Sequence, residues 1–201
     1  MNEQQIAALL TEQVPPLLQR GERVLPVVPD TTRTASMAML MGKLLPGLRQ
    51  AGVHTRVLVA LGTYPPLTRD TLTQHLGIDL DGDVPALNHA WNDPGQLESV
   101  GVLSAEEVQA LSAGLMAESV DLRINRELIR ADRVLLLHPV FPHELVGFSG
   151  GSKYLFPGIS GPGDEHTHLR ERISGNGIGY GHVRNAHGRG DHGRGIQSDS
   201  T

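Results

Sequence analysis

The chain has 201 residues, a formal net charge of −5 with its histidines neutral, and 39% apolar residues, enough for one domain with a real core and an appendage. The acidic balance removes the electrostatic case for nucleic acid, and no apolar run approaches the roughly 18 to 20 residues that a membrane span needs. There is no cysteine, which excludes disulfides and thiolate metal sites. Residues 1–5 lack the basic start of a signal peptide, so a cytoplasmic protein is expected, with any metal held by His, Asp, Glu or an added cofactor.

In chain order, residues 3–20 read as a helix with Ile6, Leu9, Leu10 and Val14 apolar, interrupted near Pro15 and Pro16. Residues 24–28 form an apolar run that ends at Pro29 and Asp30, a buried strand. A helix is expected over 36–50, closed by Gly52, with Pro46 disturbing its last turn. Residues 56–61 are the second strand, 67–76 the second helix with Gly77 as its C-cap, and 84–88 a weaker third strand. Residues 104–116 read as helical, with Ser104 and Glu107 spaced for a capping box. A strand over 120–124 and a short helix over 127–131 follow. Residues 133–140 look like the most convincing buried strand, with His138 inside it as a core or interface residue.

This alternation predicts an α/β fold with a mainly parallel sheet and flanking helices, Rossmann-like. Ligands in such folds bind beyond the carboxyl ends of the strands. Three loops fall there: 29–36, 62–68 and 141–158. The domain is expected to span residues 1–162. Residues 163–201 hold five of the ten histidines and few apolar side chains. That is too little to offset the entropy of ordering, so a disordered Gly/His/Arg-rich tail is expected. Such a mixture is also what a GC-rich coding sequence yields when read out of frame.

The richest chemistry lies in 141–158, which combines His143, the glycines Gly147, Gly150 and Gly151, and Lys153. Glycine lets backbone N–H groups approach a ligand, histidine moves protons near neutral pH, and lysine carries charge or forms a covalent bond. A P-loop fails at two positions, Ser152 and Tyr154, and the G-x-G-x-x-G fingerprint is absent. A tight turn between two elements is the plainer reading of the glycines. After the first strand, Thr34 or Ser36 can cap a helix, Arg33 can fork onto a carboxylate or phosphate, and Asp30 can hold Arg33 or accept a ligand hydroxyl. A capped helix with a surface ion pair explains the same residues without a ligand. Tyr64 and the Asn88–Ala90 segment end the next two strands.

Taken together, Asp30-Thr31-Thr32-Arg33, Leu61-Gly62-Thr63-Tyr64-Pro65, Asn88-His89-Ala90 and the block from Pro142 and His143 through Lys153 to Pro157 and Gly158 resemble the N-terminal domain of the LarA family, the nickel-dependent lactate racemases. The family pattern is D-x-T-R, L-G-T-H-R, N-H-D and P-H-x-x-x-G-F-S-G-G-x-K-x-x-x-P-G, and the resemblance covers roughly residues 20–162. It implies a nickel-pincer nucleotide tethered to Lys153, which exchanges the α-hydrogen of a 2-hydroxy acid, with His143 as acid/base on the hydroxyl proton. Asp30, Arg33, Gly150 and Gly151 would position cofactor and substrate. Tyr64 stands where the family has its second acid/base histidine. A tyrosine ordinarily ionises near about 10, so symmetric racemisation is not expected. His166 and His168 lie near the spacing of the family's histidine nickel ligand. The family's C-terminal domain lies outside this chain, so the resemblance implies a truncated racemase-type domain; the alternative is a non-catalytic fragment or cofactor-binding module acting with a separately encoded C-terminal domain.

Overall fold

A computed structural model of the chain describes residues 3–33, 36–143 and 147–161. Thr34, His166, His168 and the tail expected at 163–201 lie outside the described residues. In chain order the elements are α1 (Glu3–Ala8), β1 (Arg23–Pro29), α2 (Met37–Ala51), β2 (His54–Thr55), β3 (Val57–Ala60), α3 (Arg69–Leu76), β4 (Ala86–Asn88), β5 (Leu97–Leu103), α4 (Ala105–Leu111), β6 (Val120–Asn125), α5 (Arg126–Arg130), β7 (Arg133–Leu136), β8 (Phe141–His143) and β9 (Gly147–Ser149), then a 3-10 turn, Gly151–Tyr154.

The main sheet is parallel throughout. β1 is its centre, with β7 on one side and β3 on the other, β4 beyond β3, and β2 pairing with the start of β1 as a lead into β3. Alternation along the strands divides the core into two layers. Val24, Val28, Val57, Val59 and Leu61 face α2 and α3, packing on Met37, Met41, Leu44, Leu48, Leu72 and Leu76. Leu25, Val27, Leu58 and Ala60 face the opposite way, onto Ile124, Leu128 and Ile159. Both faces of β1 are covered, which is why Val24 to Pro29 is apolar without a polar alternate.

Local chemistry sets the helix ends. The Ser36 hydroxyl accepts the Met39 N–H at 3.4 Å, and Gly52 closes α2 at φ +68°. Thr68 and Gly77 do the same for α3, and Ser104 with Glu107 forms the expected capping box on α4. Pro46 sits inside α2 without ending it. The carbonyl it leaves unbonded belongs to Gly42, which is exposed and open to water.

The structure corrects several expectations. The helix expected over 3–20 is three pieces, α1, a π turn at Leu9–Gln13 and a 3-10 turn at Pro15–Leu17. The helix expected to reach residue 116 stops at Leu111. Ala113 and Gly114 take positive φ there, and the Ser112 hydroxyl accepts the Met116 N–H, which folds the chain back. β5 was not expected. It has one buried residue at its start, Leu97, and owes its form to antiparallel pairing with β6 under the cover of α4. β7 is shorter than expected and is not buried. It pairs with β1 alone among the described strands, and Val134 is 37% exposed. His138 therefore lies beyond the strand rather than within it.

Candidate functional site

A parallel sheet opens a crevice where successive strands leave in opposite directions from a common neighbour. Here the chain moves from β1 to β3 and β4 on one side and later returns to β7 on the other. The switch point is therefore between the carboxyl ends of β1 and β7. The loop after β1 carries Asp30 and Arg33, and the segment after β7 carries His138. The glycine turn and Lys153 come back to the same place.

On the β1 side, Asp30 is buried, and its Oδ1 accepts the Thr32 N–H at 3.1 Å and the Thr32 hydroxyl at 2.6 Å. That Asx turn redirects the chain out of the sheet and leaves Arg33 exposed at the rim. α3 anchors the same strand end, with His75 Nε2 donating to the Pro29 carbonyl at 2.9 Å.

On the β7 side, His138 is half-buried and stacks on Tyr154, with ring centroids 4.5 Å apart and planes 11° from parallel. Its Nδ1 donates to the Pro139 carbonyl at 3.1 Å, and its Nε2 accepts the Gly151 N–H at 3.0 Å. Gly150 has φ +98° and ψ −162°, a region that residues with a Cβ rarely occupy. A Cβ there would stand 2.8 Å from His138 Nδ1 and 2.9 Å from the Pro139 carbonyl oxygen. Gly150 is thus required twice, by its backbone angle and by the ring beside it. Burial raises the Tyr154 phenol above its ordinary value, the Arg33 charge opposes that rise, and Asp30 adds to it. Tyr154 therefore joins the two sides of the crevice electrostatically.

The segment after Lys153 is pinned at several points. Gly62 N–H donates to the Gly158 carbonyl at 2.9 Å, Asn125 N–H to the Ile159 carbonyl at 2.8 Å, and Gly161 N–H to the Arg123 carbonyl at 3.0 Å. A Cβ at Gly158 would collide with the Tyr154 carbonyl, a backbone group that cannot step aside. His89 is 0% exposed. Its Nε2 donates to the Ser160 carbonyl at 3.0 Å, and its Nδ1 accepts from Asn125 Nδ2 at 3.2 Å. His89 is therefore a buried clasp that joins the end of β4 to β6 and the 158–161 segment. Asn88 is a second clasp, exchanging two hydrogen bonds with the Leu67 backbone.

Of the residues singled out in the sequence, Asp30, Arg33, Gly150, Gly151 and Lys153 gather around the switch point. Tyr64 is 61% exposed on the loop after β3. The backbone of His143 ends β8, paired with β9 at Gly147. Sequence reasoning missed His138 and Tyr154 as parts of the site. The available signal was the position of His138 at the carboxyl end of a strand beside the switch point. Among the described residues, no group of three or more His, Asp and Glu side chains is placed to hold a metal ion, and no helix is long and apolar enough to cross a membrane.

The chain matches the model of the family described as "Lactate racemase N-terminal domain" over residues 3–175. It is 28% identical to the lactate racemase of Lactiplantibacillus plantarum over 146 residues, 71% of this chain and 31% of that protein. It is 24% identical to the lactate racemase of Thermoanaerobacterium thermosaccharolyticum over 152 residues, 75% of this chain and 33% of that protein. The chain thus spans about a third of the length of these curated relatives. A crystal structure of a Thermotoga maritima protein superposes with a TM-score of 0.76 at 28% identity, covering 86% of this chain and 42% of that one. The T. thermosaccharolyticum lactate racemase apoprotein superposes at 0.64 with 22% identity, over 80% of this chain and 37% of that one, a likeness of fold.

Proposed function

The chain belongs to the lactate racemase N-terminal domain family, and from that premise we propose that it is the cofactor-holding part of a nickel-dependent racemase or epimerase of 2-hydroxy acids. One observation carries the reading. The glycine turn that presents Lys153 and the loop that presents Asp30 and Arg33 converge on the switch point between β1 and β7.

The residues fit a nickel-pincer nucleotide. Nothing lies within 4 Å of a Cβ position at Gly151, so that side of the turn is open to a flat ligand, an amine follows two residues on at Lys153, and Arg33 acts on Tyr154 at the end of the same turn. Such a group, when bound, supplies a nickel centre able to exchange the α-hydrogen of the substrate. The Lys153 amine would bond to it covalently. Arg33 would fork onto a phosphate or the substrate carboxylate, and Asp30, held by Thr32, would keep the Arg33 loop in place. His143 would take and return the hydroxyl proton, as a side chain that titrates near neutral pH can. Tyr64 would stand where the family has its second acid/base histidine, and a phenol ordinarily keeps its proton near neutral pH, so transfer from the two substrate faces would be unequal. His166 or His168 would offer an imidazole to the metal.

A second reading has its own support. The chain spans about a third of the length of its curated relatives, and the part it matches can serve as a cofactor-binding module that does not complete the reaction by itself. One experiment tests both. Purified protein incubated with the nickel-pincer nucleotide should gain mass on the peptide containing Lys153, and Lys153→Ala should abolish the gain. No adduct, or an adduct that survives the substitution, removes the tether. With the adduct formed, racemisation of D- and L-2-hydroxy acids by this chain alone supports the enzyme. Activity only after adding the relatives' C-terminal region supports the module.

A further inference from the structure

The geometry points to His138 as a positioning residue that, in a single neutral tautomer, grips both ends of the turn that carries Lys153. The Pro139 carbonyl can only accept, so the Nδ1 facing it at 3.1 Å carries the proton. The Gly151 backbone nitrogen can only donate, so the Nε2 facing it at 3.0 Å carries the lone pair. The opposite tautomer or a doubly protonated ring would set N–H against N–H at Gly151. The Nδ1–H tautomer satisfies both partners at once.

The ring also does more than bond. Gly151 is the first residue of the Gly151–Tyr154 turn and Tyr154 the last, and Lys153 lies between them. His138 holds the first through its N–H and the last through ring stacking at 4.5 Å. It fills the space that a side chain at Gly150 would need, so the approach to the turn is locked as well. Tyr154 is the titratable group against its face, and Arg33 and Asp30 act on Tyr154 from the β1 loop. A phenylalanine at 138 would keep the stack and lose the acceptor. A glutamine would lose the stack and keep an acceptor for Gly151. Only an imidazole does both.

The relevance of this grip to catalysis rests on Lys153 being the cofactor tether, but the test needs no cofactor, so the two ideas fail separately. The chain has two lysines, Lys153 in the turn and Lys43, exposed on α2. Long-range 1H–15N correlation on the full 15N-labelled chain near neutral pH should show His138 with Nδ1 protonated and Nε2 bare. The reverse tautomer, or averaging between the two, overturns the inference. Acetylation with an N-hydroxysuccinimide ester, read by mass spectrometry as the Lys153-to-Lys43 ratio, supplies the second readout. His138→Phe should raise that ratio about fivefold, the worth of one lost hydrogen bond. His138→Gln, which keeps the acceptor and loses the stack, should raise the ratio by less than His138→Phe does. An unchanged ratio in His138→Phe, or a larger change in His138→Gln than in His138→Phe, overturns the inference. If neither variant folds, the wild-type tautomer decides alone.

Discussion

Gly150→Ala is the sharpest perturbation of the site, because its cost has two separable causes. The backbone stands at φ +98° and ψ −162°, a region nearly reserved for glycine, and holding alanine there costs about 1–3 kcal/mol. The new Cβ would also meet His138 Nδ1 at 2.8 Å and the Pro139 carbonyl oxygen at 2.9 Å. Neither is the loose end of a side chain, since the ring is stacked on Tyr154 and the carbonyl is backbone. With overpacking added, the expected loss is roughly 2–4 kcal/mol, or a fall of about 5–15 °C in Tm for a domain of this size. Gly151→Ala is the control. Its φ is +61°, but nothing lies within 4 Å of a Cβ there, so only the left-handed backbone cost of roughly 1–2 kcal/mol applies. Thermal melts by circular dichroism give the comparison, with amide exchange at Gly151 to detect a turn released locally. A Gly150→Ala protein that melts with the wild type and keeps slow Gly151 exchange would refute the reasoning, as would a larger loss in Gly151→Ala.

Three further outcomes are expected. His89→Phe should cost about 2–4 kcal/mol in urea unfolding, because it removes two fully buried hydrogen bonds, to Asn125 Nδ2 and to the Ser160 carbonyl; a loss near zero would mean that His89 is not a clasp. Gly42→Ala should stabilise the protein by about 0.5–1 kcal/mol, since residue 42 is an exposed helical position with open space around its Cβ. The Arg23 guanidinium and backbone N–H hold the Asp132 carboxyl down to about 2. A depressed carboxylate stabilises above its unfolded value of about 4 and loses that contribution as pH falls through the folded value. The gap in Tm between wild type and Asp132→Asn should therefore be present near neutral pH and close as pH falls from about 4 to about 2. A gap that widens with acid would contradict the pairing.

Elements whose stability is local were legible in the sequence, and those that depend on a partner were not. α2 announced its ends through Ser36 and Gly52, and α3 its end through Gly77, because a cap is a bond between near neighbours. β1 and β3 announced themselves as apolar runs, because both sheet faces are covered. β5 was missed because five of its seven residues are exposed and its ladder is supplied by β6, more than fifteen residues on. β7 was misread because an apolar run shows hydrophobicity and not how many neighbours will cover it.

The site divides in the same way. Residue types and their order along the chain determined the α/β class and the family, and singled out Asp30, Arg33, Gly150, Gly151 and Lys153 as candidates, because these are carried by short motifs. Tertiary structure alone decided that β7 returns to the far side of β1, which brings the loop after β1 and the glycine turn to one crevice at the switch point. It also decided that His138 leaves the strand to stack on Tyr154, and that His89 works as a buried clasp. The tautomer of an imidazole is set by which carbonyl and which N–H face its two nitrogens. For His138 the carbonyl belongs to the next residue and the N–H to one thirteen positions on, and only the folded turn sets both against the ring.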